Sequence, residues 1–158
     1  MKYVCVLVTV TDMARARDFY ETVLGQKVRA DYGENILFEG GFALHLQAHF
    51  AKLIDGRPIL RPSNQFELYF EFDDIDALVG ELHKNQVEFV HEAREQPWRQ
   101  KVVRFYDPDR NLIEVGESLE FLCRRLSREG KAVEEISRIT NMPAAFVTAA
   151  LEQRRGFD

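Results

Sequence analysis

Valine stands at positions 4, 6, 8 and 10, alternating with Cys5, Leu7 and Thr9. A two-residue period in β-branched residues predicts a strand buried on both faces. At Asp12 the period changes. Between an N-cap at Asp12 and a stop at Gly25, apolar residues fall at Met13, Ala16, Tyr20, Val23 and Leu24, the stripe of a helix lying on a sheet. Strands are expected around residues 27–31, 36–39 and 42–47, with Gly40-Gly41 turning the last pair. Residues 48–65 contain Gly56, Pro58 and Pro62 and read as a connector.

The same order then begins again. Phe66, Leu68, Phe70 and Phe72 alternate with Glu67, Tyr69 and Glu71, and Asp74 opens a helix striped with Ile75, Leu78, Val79 and Leu82. Strands near residues 87–91, 101–106 and 111–115 follow, the last two joined by the turn sequence Asp107-Pro108-Asp109-Arg110. Two βαβββ modules in one chain imply that their apolar faces pack together. A shift of 62 residues lays Val4, Val6, Val8, Val10 and Asp12 on Phe66, Leu68, Phe70, Phe72 and Asp74. Those apolar rows are the expected helix-covered faces, which leaves Cys5, Leu7 and Thr9, matched by Glu67, Tyr69 and Glu71, on the opposite face. In the closing hairpins a shift of 69 sets Phe42, Leu44 and Leu46 over Asn111, Ile113 and Val115, and His45 level with Glu114.

Composition narrows the partners. The chain of 158 residues suits one main domain, and no apolar run approaches the roughly 20 residues of a membrane span. A formal net charge of -5 gives no general attraction to nucleic acid or an anionic membrane. Cys5 and Cys123 suggest no disulfide framework, and the first residues read as a strand rather than an export signal. A small-molecule ligand and a reducing cytoplasm are the expectations.

The run Val8-Thr9-Val10-Thr11-Asp12, then Asp18-Phe19-Tyr20 and Val23-Leu24-Gly25, and later Phe105-Tyr106-Asp107-Pro108-Asp109-Arg110-Asn111-Leu112-Ile113-Glu114-Val115, resembles the vicinal-oxygen-chelate superfamily over about residues 1–118. The superfamily holds glyoxalase I, extradiol dioxygenases, epimerases, fosfomycin thiol transferases and metal-free antibiotic-binding proteins. The resemblance implies an α+β fold in which two βαβββ modules form a curled mixed-sheet cup, the glyoxalase and bleomycin-resistance fold. It implies a homodimer as well, since such cups pair modules within a chain or across a dimer. Metal-using members hold a divalent ion with one residue from each of four inner strands. Carried onto this chain, those residues are Cys5, His45, Glu67 and Glu114, the same four that strand alternation selects as two pairs of equivalent positions.

The chemistry so implied is Lewis-acid polarisation of vicinal oxygens, with Glu114 or Glu67 moving a proton. Cys5 departs from the His or Gln usual in glyoxalases; as a thiolate it would favour zinc, while a buried small hydrophobe is the plainer role for a free cysteine. Two inward carboxylates in a metal-free cup would repel, and one would take up a proton. Arg104 alternates with Val102 and Tyr106 and would recognise a ligand carboxylate or phosphate from inside the cup, or lie on the outer surface. Tyr69, Phe38, His91 and Trp98 are candidate pocket walls, although core or rim packing accounts for each as well. Arg110 stands where the family turn usually has glycine, and a side chain at positive φ there costs about 1 kcal/mol.

Residues 119–158 lie outside the resemblance and form a helical tail. Leu119, Leu122, Cys123 and Leu126 make one stripe, Val133, Ile136 and Ile139 a second, and Pro143 starts a third helix bearing Phe146, Val147, Ala150 and Leu151. The arrangement resembles a helix-turn-helix, yet alanines dominate the third helix where a DNA reader needs basic and amide side chains. Docking on the domain or on a second subunit is the expected role. Three functions follow: a metal-assisted lyase or isomerase acting on a small oxygen-rich molecule, a metal-free binding protein of the bleomycin-resistance type, and, third, a ligand-sensing DNA-binding regulator.

Overall fold

The structure, a computed structural model, describes residues 1–152. The first repeat runs β1 (Val6–Val10), α1 (Met13–Asp18), β2 (Val28–Asp31), β3 (Asn35–Phe38) and β4 (Phe42–Leu46). After α2 (Gln47–Leu53), the second runs β5 (Ser63–Glu71), α3 (Ile75–Lys84), β6 (Phe89–Glu95), β7 (Lys101–Tyr106) and β8 (Asn111–Gly116). The tail holds α4 (Leu119–Arg128), α5 (Val133–Thr140) and α6 (Ala144–Glu152). The two four-stranded sheets are ordered β1-β4-β3-β2 and β5-β8-β7-β6. Adding four to each strand number converts one order into the other, which is the duplication the periodicity predicts. In the first sheet β1 pairs with β4 in parallel, and the β2-β3 and β3-β4 pairs are antiparallel. The fold is α+β.

By contact density the chain divides into two units. One comprises Met1–Leu68, Glu81–Val90 and Phe105–Ile113; the other comprises Tyr69–Gly80, His91–Arg104 and the chain from Glu114 onward. In the first unit Val8, Val10, Ala16, Phe19, Tyr20, Ile36, Phe38 and Leu44 are buried. The Asp12 carboxylate accepts from the Arg15 amide, the N-cap expected there. The single helix expected up to Gly25 instead breaks after α1 into a π-helical turn, Phe19–Val23. That wider turn keeps Phe19 and Tyr20 buried, and the Tyr20 hydroxyl donates to Asp107 at 3.0 Å.

Asp107 fixes the turn into β8. Its Oδ1 accepts from the amides of Asp109 and Asn111 at 2.9 and 2.8 Å, and its Oδ2 accepts from the Asn111 side chain at 2.8 Å. Arg110 has φ of 60°, as its glycine-like place in the turn predicts, and its guanidinium bonds Glu88 at 2.7 Å.

Three expectations need correction. Val4 is 72% exposed because β1 starts only at Val6, and Leu7 within β1 is 47% exposed, so the first strand is not buried on both faces. Phe66 and Phe72 are likewise exposed, not helix-covered. The connector over residues 48–65 begins with α2, whose Phe50 and C-cap Ile54 are partly buried. In the tail Leu122, Cys123, Leu126, Ile136, Met142, Val147 and Ala150 form one buried cluster. Asn141, at φ 58°, turns the chain between α5 and α6.

Candidate functional site

In the first unit, His45 lies in β4 opposite Thr9 and is buried. Its Nε2 is 2.8 Å from Nδ1 of His49 on α2, and that nitrogen is 3.6 Å from a Glu34 carboxylate oxygen. Burial, then the neighbouring His49, hold the His45 imidazole below its ordinary pKa, with Glu34 opposing. An N–H of one ring donating to the bare nitrogen of the other satisfies that contact.

Cys5 precedes the Val6–Phe42 rung, whereas His45 occupies the Thr9 rung. Four residues separate the two levels, roughly 13 Å at 3.3 Å per residue. Glu67, on β5, is exposed.

In the second unit, Glu114 on β8 is only 5% exposed, and the Arg104 guanidinium from β7 forms an ion pair with it. A buried carboxylate needs such a partner, since desolvation of a lone charge costs several kcal/mol. Nη1 of Arg104 also lies 3.5 Å from Nε2 of His91 on β6. The group that faces the Glu114 carboxylate is therefore a guanidinium.

Two residues along the same face of β8 lies Gly116, about 7 Å away. A Cβ there would meet the Tyr69 hydroxyl at 3.3 Å and Nε2 of Gln100 at 2.8 Å. The Gln100 side chain is 3% exposed and joins two half-exposed aromatics. Its Nε2 donates to the Tyr69 hydroxyl at 3.0 Å and to the Glu117 carbonyl at 2.7 Å, and its Oε1 accepts from the Trp98 indole at 2.8 Å. Tyr69 and Trp98 are 47% and 37% exposed, so each offers a ring to solvent while its polar atom is held. Burial, with Glu71 beside it, holds the Tyr69 phenol above its ordinary pKa and keeps it protonated.

Of the residues picked from sequence, Arg104, Glu114, His91, Tyr69 and Trp98 thus belong to one unit, and hydrogen bonds or ion pairs link them in two adjacent sets. Phe38 is a correction. It is 1% exposed and stacks on Phe42 with ring centroids 4.7 Å apart, which makes it a core residue and not a pocket wall. Gln100 and His49 were missed. Close spacing of Gly116 to polar side chains is invisible in sequence, and His49 sits on the unforeseen α2.

The divalent-ion set implied by the resemblance fits poorly. Cys5 lies at a different level from His45, the His45 Nε2 engages His49, and Glu114 is paired with Arg104. Among the described residues no three His, Cys, Asp or Glu side chains gather as an ion site.

Comparison with known proteins places this geometry in context. A protein of unknown function from Agrobacterium tumefaciens str. C58 is 39% identical, with TM-score 0.67 over 75% of this chain and 95% of that one. The uncharacterized protein YraH of Bacillus subtilis (strain 168) is 27% identical over 75% of this chain and 100% of its own length. A lactoylglutathione lyase from Agrobacterium tumefaciens shares the fold at 22% identity, with TM-score 0.57 over 74% of this chain and 93% of that one. The family model of the glyoxalase-like domain matches residues 3–120. The chain therefore belongs to the glyoxalase-like domain family.

Proposed function

We propose that this chain binds a small, oxygen-rich, ring-bearing molecule on the face of β8 that carries Glu114 and Gly116, without a resident metal ion. The observation that carries the reading is the Arg104–Glu114 ion pair. A metal-using member leaves this carboxylate for the ion; here a guanidinium from the next strand supplies the positive charge. The paired groups present N–H donors and carboxylate acceptors with little net charge, which suits carbonyl and hydroxyl oxygens better than a strong anion. Tyr69 and Trp98, both held by Gln100, supply stacking surfaces for a ring. The metal-free, sequestering alternative is the one this geometry favours.

Proton transfer, as in the lyases and isomerases of the family, is the second reading. It is favoured by His45, whose lowered pKa makes it a neutral base at neutral pH. The fold-level likeness to a lactoylglutathione lyase is in keeping with it. DNA recognition has no support in α6, which turns Ala144, Ala145, Thr148 and Ala149 to solvent. A homodimer and a reducing compartment complete the proposal, the latter because Cys5 and Cys123 are both free thiols.

Trp98 is the sole tryptophan, so its emission reports directly on the site. Titration with hydroxylated aromatic and lactone compounds should quench or shift that emission at saturation. In the Arg104→Met, Glu114→Leu double variant, which removes both charges together, affinity should fall about tenfold or more. Binding unchanged in the double variant would remove the site from this face; a turnover activity of the protein that is lost in His45→Gln would favour the second reading.

A further inference from the structure

We propose that Arg125 of α4, in the helical tail beyond the family-matched segment, is a positioning residue that holds Trp98 and Tyr69 in their ligand-facing arrangement. This rests on the ligand reading above, but its test does not need a ligand. Arg125 is four-fifths buried and makes a fan of contacts. Its Nε and Nη2 donate to the two carboxylate oxygens of Glu117 at 3.0 and 2.8 Å, a bidentate pair. Nη2 also donates to the Arg99 carbonyl, and Nη1 donates to Glu129 at 3.0 Å. Burial works against the Arg125 charge, but the bonds to Glu117 and Glu129 outweigh it and raise its pKa.

Each of those contacts leads to the aromatic pair. Glu117 is 2% exposed; its carboxylate accepts from the Lys101 amide at 2.9 Å, and its carbonyl accepts from Gln100. Arg99 lies between Trp98 and Gln100 at φ 73°, a left-handed conformation that a non-glycine residue keeps only when neighbours impose it. The tail grips it from two directions: Arg125 takes its carbonyl, and Glu129 at the end of α4 bonds its guanidinium at 3.3 Å. The turn is closed by Gln96 N–H to Gln100 C=O and by Arg99 N–H to Gln96 C=O, both 2.8 Å. Trp98 thus sits on a short turn whose strained residue is held by the tail, and its indole in turn shares Gln100 with Tyr69.

Hydrogen exchange and Trp98 emission on the full-length Arg125→Met variant test the idea. Loss of a charge-assisted bond should raise local opening, so protection at the Arg99 and Lys101 amides should fall about tenfold or more. Acrylamide quenching of Trp98 should rise alongside, while amides of β1 and β4 keep their protection. Leu126→Ala, which loosens the tail cluster without touching this network, should lower the melting temperature and leave folded-state Trp98 emission alone. If Arg125→Met fails to fold, Arg125→Lys, which keeps the charge but not the bidentate fork, should show an intermediate loss. Unchanged turn protection and quenching in the Arg125 variants would overturn the proposal, and so would a Trp98 response in Leu126→Ala as large as theirs. Absence of any ligand response in the wild type, with these effects present, would instead sink the functional reading alone.

Discussion

Under the 69-residue shift, His45 on β4 of the first repeat corresponds to Glu114 on β8 of the second, and both are buried. Their surroundings differ. His45 faces another imidazole and is held neutral by burial and by that neighbour, whereas Glu114 stays with a cross-strand guanidinium. One repeat balances a buried polar position by removing charge, and the other balances it by pairing charge. Duplication therefore conserved the strand order while the electrostatics at equivalent places diverged. Neither arrangement calls for an added cation to be stable.

The strongest way to break the comparison is to unbalance the charged side. Arg104→Met should leave Glu114 buried without its partner and cost about 3 kcal/mol in urea denaturation. Adding Glu114→Leu should recover most of that loss, because removing both charges together avoids the lone buried carboxylate. A loss below about 0.5 kcal/mol in the single variant would mean that the pair is a surface contact of little weight.

A smaller effect is expected two residues along β8. Gly116→Ala would bring a Cβ to 2.8 Å from Gln100 Nε2, so the amide must swing away from Tyr69 and the Glu117 carbonyl. We expect about 1–2 kcal/mol of destabilisation and an altered Trp98 emission, read by thermal melts and fluorescence. Wild-type emission in that variant would show that Gln100 does not hold the aromatics.

The neutral side should respond least, and to pH. Because the folded state lowers the His45 pKa below its ordinary 6.5, the unfolded chain binds more protons between the two values. The stability due to a neutral His45 is complete above about pH 6.5 and is lost as pH falls toward the lowered value. His45→Leu should cost about 1 kcal/mol at pH 7.5, and the gap to wild type should narrow in denaturation curves at pH 5.5. A gap that widens on acidification would mean His45 is charged in the native protein.

Much of this was legible in the chain. Strand alternation and the caps Asp12 and Asp74 define the repeat, since period and capping are local properties; the Ala77 amide bonds the Asp74 carboxylate at 2.9 Å as predicted. Glu114 was found because the 69-residue shift sets it level with His45 and the family resemblance names the same position. Arg104 emerged only as one of two parities, and that its partner is Glu114 could not be read, because cross-strand neighbours depend on register. Phe38 failed for the opposite reason: an aromatic in a strand looks the same in sequence whether it lines a pocket or stacks on Phe42. Alternation selected Cys5 by its face alone, since it does not fix a level along the strand.

Calorimetric titration of untagged, chelator-treated protein with zinc, nickel and manganese tests the central claim most directly. If Arg104 serves as the positive partner of Glu114, the wild type will take up no stoichiometric ion at micromolar concentration. One ion bound per chain, and lost in Glu114→Ala, would contradict it.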